Sequence, residues 1–250
     1  MTNKVWGLIP ARLNSSRLPK KALMKLHEIP MVIHVARRSK KAKLLDHVIV
    51  CTDSVEIANT CIEYSVDFCF TPSDCKNGTE RILAAKNIIG IPNGDFIIDI
   101  QGDEPLITPA SIDLVANYIK NKNIRSEIVL PYTLNCPSRN VNVVKVISSN
   151  GRVVYLSRSD APFGFNSDVK LKKHLSVIGF SGESLESFGK APPGQLELIE
   201  GIELLRALEA NIPILTFEID TDSFSVDVQS DFERAERALR VCEIFNGNYE

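Results

Sequence analysis

Val5-Trp6-Gly7-Leu8-Ile9-Pro10 is an unbroken apolar run. It opens into Ala11-Arg12-Leu13-Asn14-Ser15-Ser16-Arg17-Leu18-Pro19-Lys20-Lys21, where four cations and three small polar side chains share eleven residues. The apolar run reads as a buried strand, the basic stretch as a loop, and the pattern over 31–43 as a helix. Further along, 47–52, 66–70 and 95–100 read as strands, with helical patterns over 55–64, 79–89 and 109–120 between and after them. Pro109 suits a first helical turn, and the β-branched Asp95-Phe96-Ile97-Ile98-Asp99-Ile100 suits a strand buried on both faces. Such alternation predicts an α/β fold with a mostly parallel sheet and helices on both faces.

Past Ile128 the texture changes. Three strand-like runs, 128–134, 143–147 and 153–157, follow one another without an intervening helix, which predicts a small antiparallel insertion. A polar, glycine-containing loop over 163–173 precedes a strand over 174–180. A helix over 196–210, a strand over 214–219 and a helix over 230–245 close the chain. The expected organisation is a single domain over 1–250, with 128–180 as an inserted antiparallel region. No repeat or low-complexity tract interrupts it.

The 250 residues are 44% apolar and 24% charged, which excludes collagen-like, disordered and membrane-spanning classes. With 29 cationic and 31 anionic side chains the formal charge is -2, which argues against a nucleic-acid or membrane-surface binder. Any anion site must therefore be local. The six cysteines form no C-x-x-C pair and sit mostly in apolar runs, as buried free thiols of a reducing compartment would. The apolar run near the N-terminus is too short for a signal-peptide core and is broken by Pro10 and Arg12, so a cytoplasmic protein is expected.

Three places could carry chemistry. The loop 11–21 follows a parallel strand at its carboxyl end, where open α/β sheets bind ligands, and its convergent cations suit a polyanion. Neither G-x-G-x-x-G nor G-x-x-x-x-G-K-[ST] occurs, so any grip on phosphate is made by side chains. Asp99-Ile100-Gln101-Gly102-Asp103-Glu104-Pro105 ends the most apolar strand. Gly102 allows a turn there, and Asp103 can serve Mg²⁺ together with substrate phosphates, or simply accept backbone N–H bonds in the turn. Ser225-Val226-Asp227-Val228 offers another carboxylate, although by itself an Asp before a helix is more often a cap. Gly78-Thr79-Glu80-Arg81 reads as a helix start.

Taken together, Ile9-Pro10-Ala11-Arg12, Ser15-Ser16-Arg17-Leu18-Pro19, Gly78-Thr79-Glu80-Arg81 and Gln101-Gly102-Asp103-Glu104-Pro105 resemble, in order and spacing, the 3-deoxy-D-manno-octulosonate (KDO) cytidylyltransferases. Tyr155-Leu156-Ser157-Arg158, Lys173-His174, Glu203 to Arg206 and Val226-Asp227 extend the resemblance to about Leu239. It implies a Rossmann-like nucleotidyltransferase fold and transfer of CMP from CTP to a 2-keto-3-deoxy sugar acid, with release of pyrophosphate and a requirement for Mg²⁺. Such activity would serve surface polysaccharide or lipopolysaccharide synthesis.

On that resemblance Arg12, Lys21, Asp103 and Asp227 are catalytic, and Asp103 with Asp227 holds the metal. Ala11, Arg12, Arg17, Lys21, Gly78, Thr79, Arg81 and Asp103 bind CTP, while Gln101, Arg158, His174 and Glu203 meet the sugar. A homodimer formed through 128–157 is implied as well. Lys20 stands where the family pattern has glycine. Leu204 and Ile178 stand where it has Gln and Tyr, so the expected acceptor is a KDO variant or a related acid. Two other readings keep the fold: a catalytically silent nucleotide-sugar binding protein, and a nucleotidyltransferase with a different base.

Overall fold

The structure, a computed structural model, describes residues 3–13, 15, 17–242, 245 and 249. Asn14 and Ser16 of the basic loop, and Glu243 and Ile244 of the expected closing helix, lie outside the described residues.

The first strand, β1 (Val5–Ala11), is followed by the short pair β2 (Lys25–Leu26) and β3 (Ile29–Pro30) and by helix α1 (Met31–Lys40). Then come β4 (His47–Thr52), α2 (Val55–Glu63), β5 (Phe68–Phe70), α3 (Gly78–Ile89), β6 (Phe96–Ile100) and α4 (Pro109–Lys122). Six short strands follow: β7 (Ile128–Val129), β8 (Tyr132–Thr133), β9 (Lys145–Ser149), β10 (Arg152–Ser157), β11 (Lys173–His174) and β12 (Val177–Ser181). The chain closes with α5 (Gly182–Lys190), α6 (Gln195–Glu200), α7 (Leu205–Glu209), β13 (Ile214–Leu215) and α8 (Gln229–Arg240).

One sheet runs in the order β5-β4-β1-β6-β12-β7-β13-β10-β9-β11-β8. Strands β5, β4, β1 and β6 pair in parallel, and β12 joins β6 antiparallel from Val177 opposite Ile100 to Ser181 opposite Phe96. The alternating side chains of each strand serve two cores. Phe96, Ile98 and Ile100 pack with α1 and α4 residues such as Ile33 and Ile112, whereas Ile97 packs with Ile82 of α3 and Phe188 of α5. That alternation explains why β1, β4 and β6 were legible as continuous apolar runs: both faces of each strand are covered. Among the described residues no helix is long and apolar enough to cross a membrane.

Some expected elements are corrected. The helix expected over 196–210 is two helices, because Gly201 takes a left-handed backbone (φ 62°) and its N–H closes α6 onto the Glu197 carbonyl at 2.8 Å. The strand expected over 174–180 divides at Leu175-Ser176, where the chain leaves the β8–β9 edge and joins β6 and β7. Helix α5 was not anticipated. Its signal was present in Ser181-Gly182-Glu183-Ser184, where Ser181 Oγ accepts from the Ser184 N–H at 3.0 Å and Ser184 Oγ accepts from the Ser181 N–H at 3.0 Å.

Candidate active site

The carboxyl ends of β1 and β6 meet at Gly102. A Cβ there would stand 2.9 Å from the Pro10 carbonyl oxygen, so only glycine lets the turn after β6 close against the end of β1. This contact sets Asp103 beside the basic loop. A cavity of about 300 Å³ opens there, and Ala11, Arg12, Arg17, Lys21, Gly78 and Arg81 line it together with Asp103 and Asp227.

Charge is organised around Lys21. Its Nζ lies 2.7 Å from Asp103 Oδ2 and 3.2 Å from Asp227 Oδ1. Arg17 Nη2 donates to the same Asp227 oxygen at 2.8 Å, and its Nη1 donates to Asn142 Oδ1 at 2.9 Å. Burial alone favours a neutral amine, but Asp103 and then Asp227 outweigh it and hold the Lys21 pKa above the ordinary lysine value. Lys20 is turned elsewhere: it takes a left-handed backbone (φ 56°) and pairs with Glu56 at 2.7 Å. It does not line the cavity.

The start of α3 is more structural than the sequence suggested. Asn77, which lines the cavity, caps the helix by accepting from the Glu80 N–H at 2.8 Å. Arg81 is almost fully buried, with Nη1 on Thr71 Oγ1 at 2.7 Å and Nη2 on Asp53 Oδ2 at 3.3 Å, yet it reaches the cavity wall. Thr79 is not brought to the cavity. It is fully buried behind the wall, and its N–H donates to Glu203 Oε2 at 3.3 Å. Glu80 does not line the cavity; it accepts from Arg206 Nη1 at 2.9 Å, while Arg206 grips Glu197 through two bonds of 2.7 Å.

A second cavity of about 740 Å³ adjoins the first. Gln101, Arg158, His174 and Glu203 all line it, as do Leu204 and Ile178, which are only 1% and 2% exposed. Arg17, Asn77, Gln101, Asp103 and Asp227 line both cavities. Arg158 is less available than its place in the sequence implied. Its Nε donates to the Glu200 carbonyl at 2.7 Å, Nη1 to Val141 at 2.9 Å and Nη2 to Gly201 at 3.0 Å, which leaves two of its five N–H groups free of these carbonyls. Burial lowers the His174 pKa to about 4, and the Lys173 and Arg158 charges add to the effect, so the ring is neutral at pH 7 and brings one N–H donor.

Gln101 is held by a buried carboxyl group. Its Nε2 lies 3.0 Å from each oxygen of the fully buried Asp99. Burial pushes the Asp99 pKa well above the usual carboxylate range, with Glu203 and then Asp103 adding to the effect. Glu203 is also pushed up, first by burial and then by Glu197. Asn77, Glu104 and Lys173, which line the cavities, and Asp99 beside Gln101 were not anticipated as parts of the site. Only Asn77 carried a local signal, as an Asn before Gly-Thr-Glu that suits a helix cap.

A family model described as Cytidylyltransferase matches residues 6–218. A 3-deoxy-manno-octulosonate cytidylyltransferase of Chloroherpeton thalassium is 36% identical over 240 residues, covering 93% of this chain and 96% of that protein. An 8-amino-3,8-dideoxy-manno-octulosonate cytidylyltransferase of Shewanella baltica is 35% identical over 242 residues, covering 94% of this chain and 98% of its own length. Among solved structures, CMP:2-keto-3-deoxy-manno-octonic acid synthetase complexed with CTP has a TM-score of 0.87 at 26% identity, with 95% of this chain and 99% of that one covered.

Proposed function

The chain belongs to the cytidylyltransferase family, and from that premise we propose that it couples CTP to a KDO-like 2-keto-3-deoxy sugar acid, giving CMP-sugar and pyrophosphate. The observation that carries this reading is the position of Asp103 and Asp227. Both line the smaller, cation-rich cavity and the larger one, so the α-phosphorus of a nucleotide in the first can meet a hydroxyl of a sugar in the second.

In the reaction the anomeric oxygen of the acceptor forms a bond to the α-phosphorus. The bond from that phosphorus to the bridging oxygen of the β-phosphate breaks, pyrophosphate leaves with that oxygen and its bonding pair, and the proton of the acceptor hydroxyl passes to solvent water. Arg12, Arg17 and Lys21 hold the triphosphate, and their fixed positive charge meets the negative charge that builds at the α-phosphoryl group. Gln101 and Glu203 orient the acceptor. Holding both reactants at one junction supplies much of the rate.

Mg²⁺ fits the residues present. Two hard carboxylates converge on one cation, the Lys21 ammonium, beside a cavity with room for phosphate oxygens, and magnesium is commonly held by one or two carboxylates plus substrate phosphates. When bound by Asp103 and Asp227 it would neutralise charge on the reacting phosphate.

The acceptor's far end meets Leu204 and Ile178, and an apolar wall suits a missing hydroxyl or a less polar substituent there. Arg158 keeps two N–H groups clear of its three carbonyl partners for the acid end, and the neutral His174 ring lines the same cavity. Arg17 adds charge at the mouth of the same cavity. The exposed Val141 and Val154, 68% and 61% accessible, lie in the region expected to form a homodimer. A role in surface polysaccharide or lipopolysaccharide synthesis in the cytoplasm is the setting in which such an activated sugar would be used.

Pyrophosphate release from CTP, UTP and GTP with a panel of keto-acid sugars tests the whole reading. Release with CTP and a 2-keto-3-deoxy acid is expected. A protein that binds CTP and releases nothing with any acceptor is a binding protein, and preference for UTP or GTP would replace the base assignment.

A further inference from the structure

Asp227 reaches the site on a stretch without helix or strand: residues 219–227 have no regular structure before α8 begins. Something else must fix its carboxylate. The Val226 N–H donates to the Asp103 carbonyl oxygen at 2.9 Å, and the Val226 side chain is fully buried against Leu18, Leu26 and Met31. Asp231 accepts from the Asp227 and Val228 N–H groups at 3.1 Å each, and Arg17 and Lys21 meet the Asp227 carboxylate itself. A further hold comes from Glu104, next in sequence to Asp103 and only 3% exposed. Ser223 Oγ donates to its Oε2 at 2.7 Å, and Ser225 Oγ donates to its Oε1 at 3.3 Å. Ser176 Oγ lies 3.2 Å from Ser225 Oγ and can donate to it, and Lys173 Nζ donates to the Ser223 carbonyl at 2.6 Å.

A buried carboxylate is costly unless its oxygens accept hydrogen bonds. Both oxygens of Glu104 are engaged by hydroxyls of the segment that carries Asp227, at alternate residues two and four positions before it. Asp103 and Glu104 thus act as one clamp: the main chain of the first and the side chain of the second hold 223–226, and Asp227 emerges opposite Asp103 across Lys21.

We infer that Glu104 is a positioning residue that sets Asp227 opposite Asp103, so that the two carboxylates can act on one cation. The inference rests on the proposed use of Asp103 and Asp227 as the metal pair, and its test separates the two. Outer partners of a metal ligand are typically worth about 10–100-fold in metal affinity.

Calorimetric titration with CTP, once with Mg²⁺ and once with EDTA, gives the factor by which the metal tightens CTP binding. In Glu104→Ala that factor should fall on the order of tenfold, the low end for such partners, while CTP affinity in EDTA stays at the wild-type value. Glu104→Gln keeps an acceptor oxygen for Ser223 and should lose less. A folded Glu104→Ala with the wild-type factor overturns the inference and leaves the metal pair standing. A wild type whose CTP affinity ignores Mg²⁺ overturns the metal reading and this inference with it. If Glu104→Ala does not fold, Ser223→Ala combined with Ser225→Ala removes only the two hydroxyls. The factor must then fall in that variant, and an unchanged factor overturns the inference.

Discussion

Lys21 Nζ stands 2.7 Å from Asp103 Oδ2, a contact that joins the loop after β1 to the turn after β6. The same ammonium reaches Asp227 at 3.2 Å, so three distant parts of the chain converge on one point. Asp103→Asn and Asp227→Asn should each keep the fold and lower kcat by roughly 10²–10³, the usual loss when one electrostatic contact to the developing charge is removed. Steady-state kinetics at saturating Mg²⁺, with circular dichroism as the folding control, checks this. Near wild-type turnover in either variant would remove that aspartate from the metal role.

The two neighbouring lysines should behave differently. Lys21 lines the smaller cavity with Arg12, whereas Lys20 pairs with Glu56 and is 60% exposed at its side chain. Arg12→Ala and Lys21→Ala should weaken CTP binding by calorimetry, and Lys20→Ala should do so far less. Lys20→Gly should leave CTP binding alone and be neutral or stabilising by up to about 1 kcal/mol, since a left-handed backbone costs a lysine roughly 1–2 kcal/mol. Equal losses at Arg12, Lys20 and Lys21 would mean a diffuse basic patch instead of an aligned clamp.

Arg206 joins α7 to α6 through Glu197 and to α3 through Glu80, with the arginine 3% and Glu197 8% exposed. Arg206→Leu leaves Glu197 buried without its cation, and such one-sided removal costs about 3–5 kcal/mol. Chemical denaturation should show that loss. Arg206→Leu combined with Glu197→Leu should recover part of it, because the double change leaves neither charge of that pair stranded. A single variant as stable as wild type would contradict the role given to this pair.

Asp99 gives the stability a particular pH dependence. Its folded pKa lies well above 3.8, so the native state holds a proton that the unfolded chain releases. Its stabilising contribution is therefore complete at acidic pH and fades as pH rises through the folded value. In Asp99→Asn, which cannot ionise, the gain in Tm over wild type should grow from acidic to alkaline pH. Using the difference removes the opposite trend from His34 and His174, both held down to about 4. A difference that is flat with pH would show that Asp99 is ionised throughout.

Acceptor choice tests the apolar wall. If Leu204 and Ile178 disfavour a polar end, kcat/KM for KDO should be low in the wild type and should rise in Leu204→Gln with Ile178→Tyr. A hydroxyl left unpaired against such a wall costs on the order of 1–3 kcal/mol, about one to two powers of ten in kcat/KM. A wild type already efficient with KDO, and not improved by the double change, sinks this argument and leaves the cytidylyltransferase reading intact.

Much of the architecture follows from short-range pattern. Strands β1, β4 and β6 are apolar on both sides because each face meets a helix layer, and that requirement is written in consecutive residues. The basic loop and the Gln101-Gly102-Asp103 turn were legible for the same reason: each is contiguous and sits at a strand end. Where a side chain spends its charge was not legible. Arg206 and Glu80 looked like parts of two motifs, and only packing made them partners 126 residues apart. Arg158 is used on three carbonyls, that of Val141 and those of Glu200 and Gly201 at the end of α6, which no periodicity brings together. Asp227 stood out in the sequence only through the resemblance, and the buried Glu104 and Ser223 that tie its irregular segment to the end of β6 were not legible there. Local sequence determines which residues are apolar and which can turn. The partner of a buried charge depends on which distant group packing brings within hydrogen-bond reach, and the tertiary structure decided that.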